Sequence, residues 1–140
     1  MSRPRFVFLS VVEPIRDDGA ALSQSSGWML VAPNNRMLGR SGRLFDADAE
    51  CRAAAHLLRE RIAWVSPVST AVKATGQWVW RVELAGLPVA VAGRSYLRAR
   101  ECQYNLERFL EAVPKAEFTS GLRIVRRGST APPPAFRKTG

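Results

Sequence analysis

The chain has 140 residues, 46% of them apolar, with 21 basic against 12 acidic side chains and a formal charge of +9. That length makes one domain with a core of its own, while two cysteines and one histidine exclude a disulfide framework and a structural zinc site. No apolar run approaches the roughly 20 residues of a membrane span, so the positive surface is read as an attractor of phosphates or acidic partners, not as a membrane segment.

In chain order, residues 6–12 are β-branched and aromatic and predict a first strand. Arg3 and Arg5 ahead of them imitate an export signal, but Glu13-Pro14 follows where a small-residue cleavage site is needed, so the strand reading is preferred. Residues 13–27 read as a polar loop. Residues 28–32 form a second strand stopped by Pro33, and Asn34-Asn35 turns the chain into a short strand over 37–41. Asp46 or Asp48 then opens a helix: Asp46 can serve as its N-cap, and the charges of Asp48 and Glu50 suit the positive helix end. Cys51, Ala54, Ala55, Leu58 and Ile62 fall on one helical face, with Arg52, Arg59 and Glu60 away from it.

Residues 63–72 are extended, and Pro67 argues for an edge strand. Trp78, Trp80, Val82 and Leu84 alternate with Val79, Arg81 and Glu83, the pattern of a half-buried strand. Ala85-Gly86 turns the chain and residues 87–92 return it. A second helix presents Cys102, Leu106, Phe109 and Val113, with Asn105 among them in need of a hydrogen-bond partner, and Pro114 marks its end. Residues 118–125 predict a last strand, and residues 126–140, with three consecutive prolines, a flexible basic tail.

The chain nearly repeats itself. Gly42-Arg43-Leu44-Phe45 and Cys51 return 51 residues later as Gly93-Arg94-Ser95-Tyr96 and Cys102. At the same offset Ala55 falls on Leu106, Leu58 on Phe109 and Ile62 on Val113. A period near 50 residues signals a duplicated supersecondary unit. One such unit cannot cover both its helix and its strands, whereas two make a sheet with two helices on one face. The expected fold is therefore α+β, a tandem βββα(β) duplication within a single domain over 1–125. Its repeats are 1–62 and 63–125.

The run Trp78-Val79-Trp80-Arg81-Val82, the Gly86 turn, the small strand end Ala92-Gly93, Tyr96 and the helix opening Glu101-Cys102-Gln103-Tyr104-Asn105-Leu106 resemble one unit of the YegP-like family. These are small proteins of unknown function built as single or tandem units. The resemblance implies three strands, a helix and a further strand per unit, with paired units sharing one sheet and exchanging last strands. It covers residues 60–125 well. In 1–62, Pro33-Asn34-Asn35 stands where an Asn-Gly turn is usual, and 13–27 reads as an insertion. No catalytic residue is carried over by it.

The residues themselves offer no catalytic set, metal site or cofactor loop. His56 lies five residues from Cys51 on one helix, about 140° around its axis, so the two side chains diverge. The cysteines read as small buried hydrophobes in a reducing cytoplasm. Trp28, Trp64, Trp78 and Trp80 read as core anchors, with base stacking on a sheet face as the alternative. Arg43 and Arg94, each just ahead of a helix, are candidate anion contacts, as is Arg81. Residues 118–140 hold five basic groups and no acid, while 1–62 hold nine and seven and 63–117 seven and five. Arg123, Arg126, Arg127, Arg137 and Lys138 thus complete the candidate set. The expected function is a non-enzymatic binding or interaction module, monomeric as a pseudo-dimer or weakly dimeric. Its partner is an unknown protein or, alternatively, nucleic acid bound without sequence preference through the basic C-terminal segment and a sheet face; an enzyme is the third reading.

Overall fold

The computed structural model describes residues 3–15 and 22–126. Its strands are β1 (Arg5–Pro14), β2 (Leu22–Val31), β3 (Met37–Ser41), β4 (Ser66–Ala71), β5 (Trp78–Leu84), β6 (Leu87–Val91) and β7 (Glu117–Arg126). Helices α1 (Asp48–Glu60) and α2 (Ala99–Ala112) are each followed by one 3-10 turn, Ile62–Trp64 and Val113–Lys115. The seven strands make one sheet in the order β4-β5-β6-β3-β2-β1-β7. Only the β1–β7 pair is parallel. The α+β class and the mostly antiparallel sheet with two helices are therefore as expected. In chain order, three strands, a helix and a 3-10 turn are followed by three strands, a helix, a 3-10 turn and a last strand.

Period-2 alternation sends Trp80 and Val82 of β5, Phe6 and Phe8 of β1, and Trp28 and Leu30 of β2 to the helix side, where each is at most 1% exposed. Cys51, Ala55 and Leu58 of α1 and Cys102, Leu106 and Phe109 of α2 close the same core from above. The core reading of Trp28 and Trp80 therefore holds. Gly39 of β3 lies directly beneath this layer. A Cβ there would stand 2.6 Å from Phe109 Cδ1 and 2.7 Å from Trp80 Cη2, so only glycine leaves room for the rings. Asn105 finds the partner it needed: its Oδ1 accepts from Trp80 Nε1 at 2.6 Å.

Three local expectations are corrected. Residues 23–27 are not loop but strand, paired in register as Leu9↔Gly27, Ser10↔Ser26 and Val11↔Ser25. Their small polar side chains look like turn residues, but Ser26 pairs with Ser10 of β1 on one side and exchanges two 2.7 Å backbone bonds with Phe45 on the other. The N-cap of α1 is Ala47, not Asp46, and makes no side-chain capping bond. The helix begins at Asp48, whose carboxylate instead pairs with Arg52 at 2.8 Å. Finally, Ile62–Trp64 is a 3-10 turn and not a strand start, and Trp64 is 73% exposed, outside the core.

Arg52 has a task that its position on the polar helix face did not announce. Between the pairs Phe6↔Phe118 and Phe8↔Leu122, β7 bulges, so Thr119, Ser120 and Gly121 oppose a single residue of β1. Arg52 donates to all three freed carbonyls, at 2.9, 3.4 and 3.1 Å, while lying 4.2 Å over the Phe8 ring. Phe118 completes the attachment of β7, held between Phe6 at 5.0 Å and His56 at 3.7 Å. Arg52→Ala is expected to cost about 1–2 kcal/mol, since carbonyls with partial access to water recover some bonds. Arg52→Lys is expected to rescue little, because one ammonium cannot replace a planar fork. Amide hydrogen exchange in β7, read beside a denaturation curve, checks this: unchanged β7 protection in the alanine variant would contradict it.

Cys51 and Cys102 are both 0% exposed. Burial pushes the Cys51 thiol up from 9.0 to about 12, with the Asp48 carboxylate adding to the rise, and burial also raises Cys102. The folded state thus keeps a proton on Cys51 that the unfolded chain loses above its ordinary value. Cys51 therefore contributes stability that is intact below pH 9.0 and is lost as pH rises toward about 12. Neither thiol is expected to react with a disulfide reagent at neutral pH until the protein unfolds. Stoichiometric labelling of the native protein within minutes would contradict this.

Candidate functional site

The sheet face away from the helices carries one register row across six strands: Val68, Arg81, Val91, Arg40, Met29 and Val7. That row contains no aromatic residue, because the same alternation has sent Trp28 and Trp80 to the other side. A shallow concavity of about 450 Å³ here includes Arg40 and Arg81. The Arg81 guanidinium is already engaged, with Nε donating to Glu83 at 2.6 Å. This face offers no platform for stacked bases.

The larger concavity, about 940 Å³, lies on the helix side of the molecule. Three pieces of chain line it: the β2–β3 turn with β3, the loop from β6 to α2, and the exposed face of α2. The turn is well determined. Asn35 takes a positive φ of 69°, which asparagine tolerates, and accepts from Arg5 at 2.6 Å. Asn34 Oδ1 accepts from the Arg36 backbone N–H at 3.1 Å, which sets the backbone that carries Arg36. The loop is anchored by Tyr96, which exchanges backbone bonds of 2.6 and 2.8 Å with Trp78. At Gly93 a Cβ would come within 2.5 Å of Met37 Cε, so a larger residue there would have to displace the end of the Met37 side chain.

Four guanidiniums line this groove: Arg36 from the turn, Arg94 from the loop, and Arg100 and Arg108 from α2. Among the described residues none of the four is ion-paired. Glu101 is the one carboxylate in the lining. Arg94 lies 5.4 Å from the Tyr96 ring centre and Arg108 6.0 Å from that of Tyr104. Tyr104 is 64% exposed, and burial raises the Tyr96 phenol above its ordinary value, so it stays a protonated donor. Such a site can bind anions; it holds no nucleophile–base pair. No cluster of metal-ligating side chains occurs among the described residues.

Packing does not demand these cations. Stepping back 51 residues along the chain replaces Arg100 by Ala49, Tyr104 by Ala53 and Arg108 by Leu57, all three on α1. None of these three positions on α1 is basic.

Of the candidate anion contacts named from the sequence, only Arg94 lines this groove among the described residues. Arg43 instead lies 3.9 Å over the Phe45 ring and donates to the Leu44 carbonyl at 3.4 Å. Arg81 is on the opposite face, and Arg123 and Arg126 are exposed on the edge strand β7. Arg127, Arg137 and Lys138 lie outside the described residues, and Arg126 ends a strand instead of beginning a tail. Sequence reasoning missed Arg36, Arg100 and Arg108. The spacing Arg100-Tyr104-Arg108, one residue every helical turn along one face of α2, was a legible signal for part of it.

No family model matches the chain, and no curated protein matches it. Two solved structures do. A UPF0339 protein from Shewanella oneidensis is similar with a TM-score of 0.57 at 9% identity, over 89% of this chain and 93% of that one. The yegP protein of unknown function from E. coli is similar with a TM-score of 0.50 at 9% identity, over 89% and 97%. The YegP-like fold that the residues suggested is thus borne out. At this identity the likeness is one of fold, and both neighbours leave the activity open. Among the described residues no helix is long and apolar enough to cross a membrane.

Proposed function

We propose that this protein is a non-enzymatic binding module that holds an anionic ligand in the groove between β3 and α2. The observation that carries this reading is the set of four guanidiniums, none ion-paired among the described residues, around a concave surface that also presents two tyrosines. Like charges without acidic partners repel one another, and the positions 51 residues earlier on α1 hold alanine and leucine instead. The two units, 1–62 and 63–125, act as one body, with the second supplying most of the site and the first supplying Arg36. Two buried, unpaired cysteines fit a reducing compartment such as the cytoplasm.

Titration with tripolyphosphate at low salt, followed by backbone amide NMR, tests the reading. The expected shifts are at Arg36, at Gly93 and Arg94, and along α2 from Arg100 to Arg108. Arg100→Glu with Arg108→Glu should remove them and leave the rest of the spectrum in place. Shifts confined to Arg123, Arg126 and the residues beyond would transfer binding to the basic C-terminal segment. That second reading draws support from two exposed arginines on the edge strand β7.

A further inference from the structure

We infer that the ligand of this groove is single-stranded nucleic acid; the inference rests on the anion-binding reading above. The first ground is how the charges are spread. Arg100 and Arg108 are eight residues apart on α2, about 12 Å along the helix axis. Arg36 and Arg94 come from the turn and the loop on the other side. Cations placed along a groove suit a chain with a charge at every step better than one compact phosphate.

The second ground is the aromatic side chain set between the cations. Tyr104 stands midway between Arg100 and Arg108 and is 64% exposed, so it contributes nothing to the core. Ala53 serves at the matching place on α1. An exposed ring flanked by guanidiniums is the arrangement on which an unpaired base stacks while its phosphates are neutralised. An acidic peptide would use the arginines and leave the ring idle.

The third ground is shape. Reading a duplex takes a helix or ribbon that protrudes into its major groove. Here the cations line a concavity, which admits a single strand. Glu101 and the side-chain N–H groups of Asn34 and Asn105, whose oxygens are engaged within the protein, are polar groups of the kind that meet base edges.

Fluorescence anisotropy on the full chain tests this. The probe is a labelled oligothymidylate of about 10 nucleotides, within the site size of single-strand folds. Binding should weaken with salt at a log–log slope of about −2 to −3, the value for three to four neutralised phosphates on a single strand. Arg100→Glu with Arg108→Glu should lower affinity by at least about tenfold. Tyr104→Ala should lower it by about tenfold, and Tyr104→Phe should restore it, because the ring and not the hydroxyl stacks. Tyr104 is exposed, so neither substitution endangers the fold.

Heparin and polyglutamate are the comparison probes. If they bind as tightly, lose binding on Arg100→Glu with Arg108→Glu, and ignore Tyr104→Ala, the nucleic-acid inference falls while the anion-binding reading stands. If oligonucleotide binding ignores the groove variants and disappears on Arg127→Gln, Arg137→Gln and Lys138→Gln, both fall. Absence of binding by every polyanion at low salt overturns both as well.

Discussion

Phe109→Ala is expected to lower stability by about 3–5 kcal/mol, the upper range for losing a buried aromatic ring. Phe109 is 0% exposed, with its ring centre 4.8 Å from Trp80 and 6.4 Å from Trp28. Trp80 and Trp28 belong to different halves of the chain, so the ring joins the cores under both. Its removal leaves a void between two rigid indoles, which relax poorly into it because Trp80 is tethered by its bond to Asn105. Leu58, 51 residues earlier and 1% exposed, has the matching role on α1, and Leu58→Ala belongs in the range of about 2–5 kcal/mol. Urea denaturation reads both. A midpoint shift worth under about 1 kcal/mol for either would show that its stripe does not carry the core.

Gly39→Ala is expected to cost about 2–3 kcal/mol, near the top of the range for overfilling a packed interior. The added methyl would meet Phe109 and Trp80 at 2.6–2.7 Å, and the strand cannot retreat without breaking its pairing to β2. The cause is steric and located at two rings, so the effect must be coupled to them. In a Phe109→Leu background the same change should cost less by about 1 kcal/mol or more, a departure from additivity that residues in contact show. Equal costs in the two backgrounds would place the strain elsewhere, and a neutral Gly39→Ala would mean that the rings have room that the structure denies them.

The apolar stripes were legible because helical and strand periodicities are local properties: residues 51, 55 and 58 share a face whatever packs against it. The same holds for the Trp80–Val82 alternation and for the need of Asn105 for a partner. The extension of β2 through residues 23–27 was not legible. Serine and glycine there follow no strand preference, and the pairing that makes the segment a strand comes from β1 and from Phe45, both distant in the chain. The three carbonyls held by Arg52 were hidden for a similar reason, since a bulge in β7 exists only once β7 lies against β1.

By itself, then, the sequence determined the class of fold, the two helical stripes and the placing of Trp28 and Trp80 in the core, because each follows from spacing along the chain. It also held the Arg100-Tyr104-Arg108 stripe, but without a facing wall that stripe is only a solvated helix surface. Arg43 and Arg94 were equals in the sequence, and nothing in their neighbours ranked one above the other. The tertiary structure separated them. The β3–β6 pairing brings the turn that carries Arg36 beside the loop that carries Arg94, whereas Arg43 settles on its own Phe45. A binding groove is a property of surfaces far apart in the chain, so its charge becomes visible only when the sheet has placed its walls side by side.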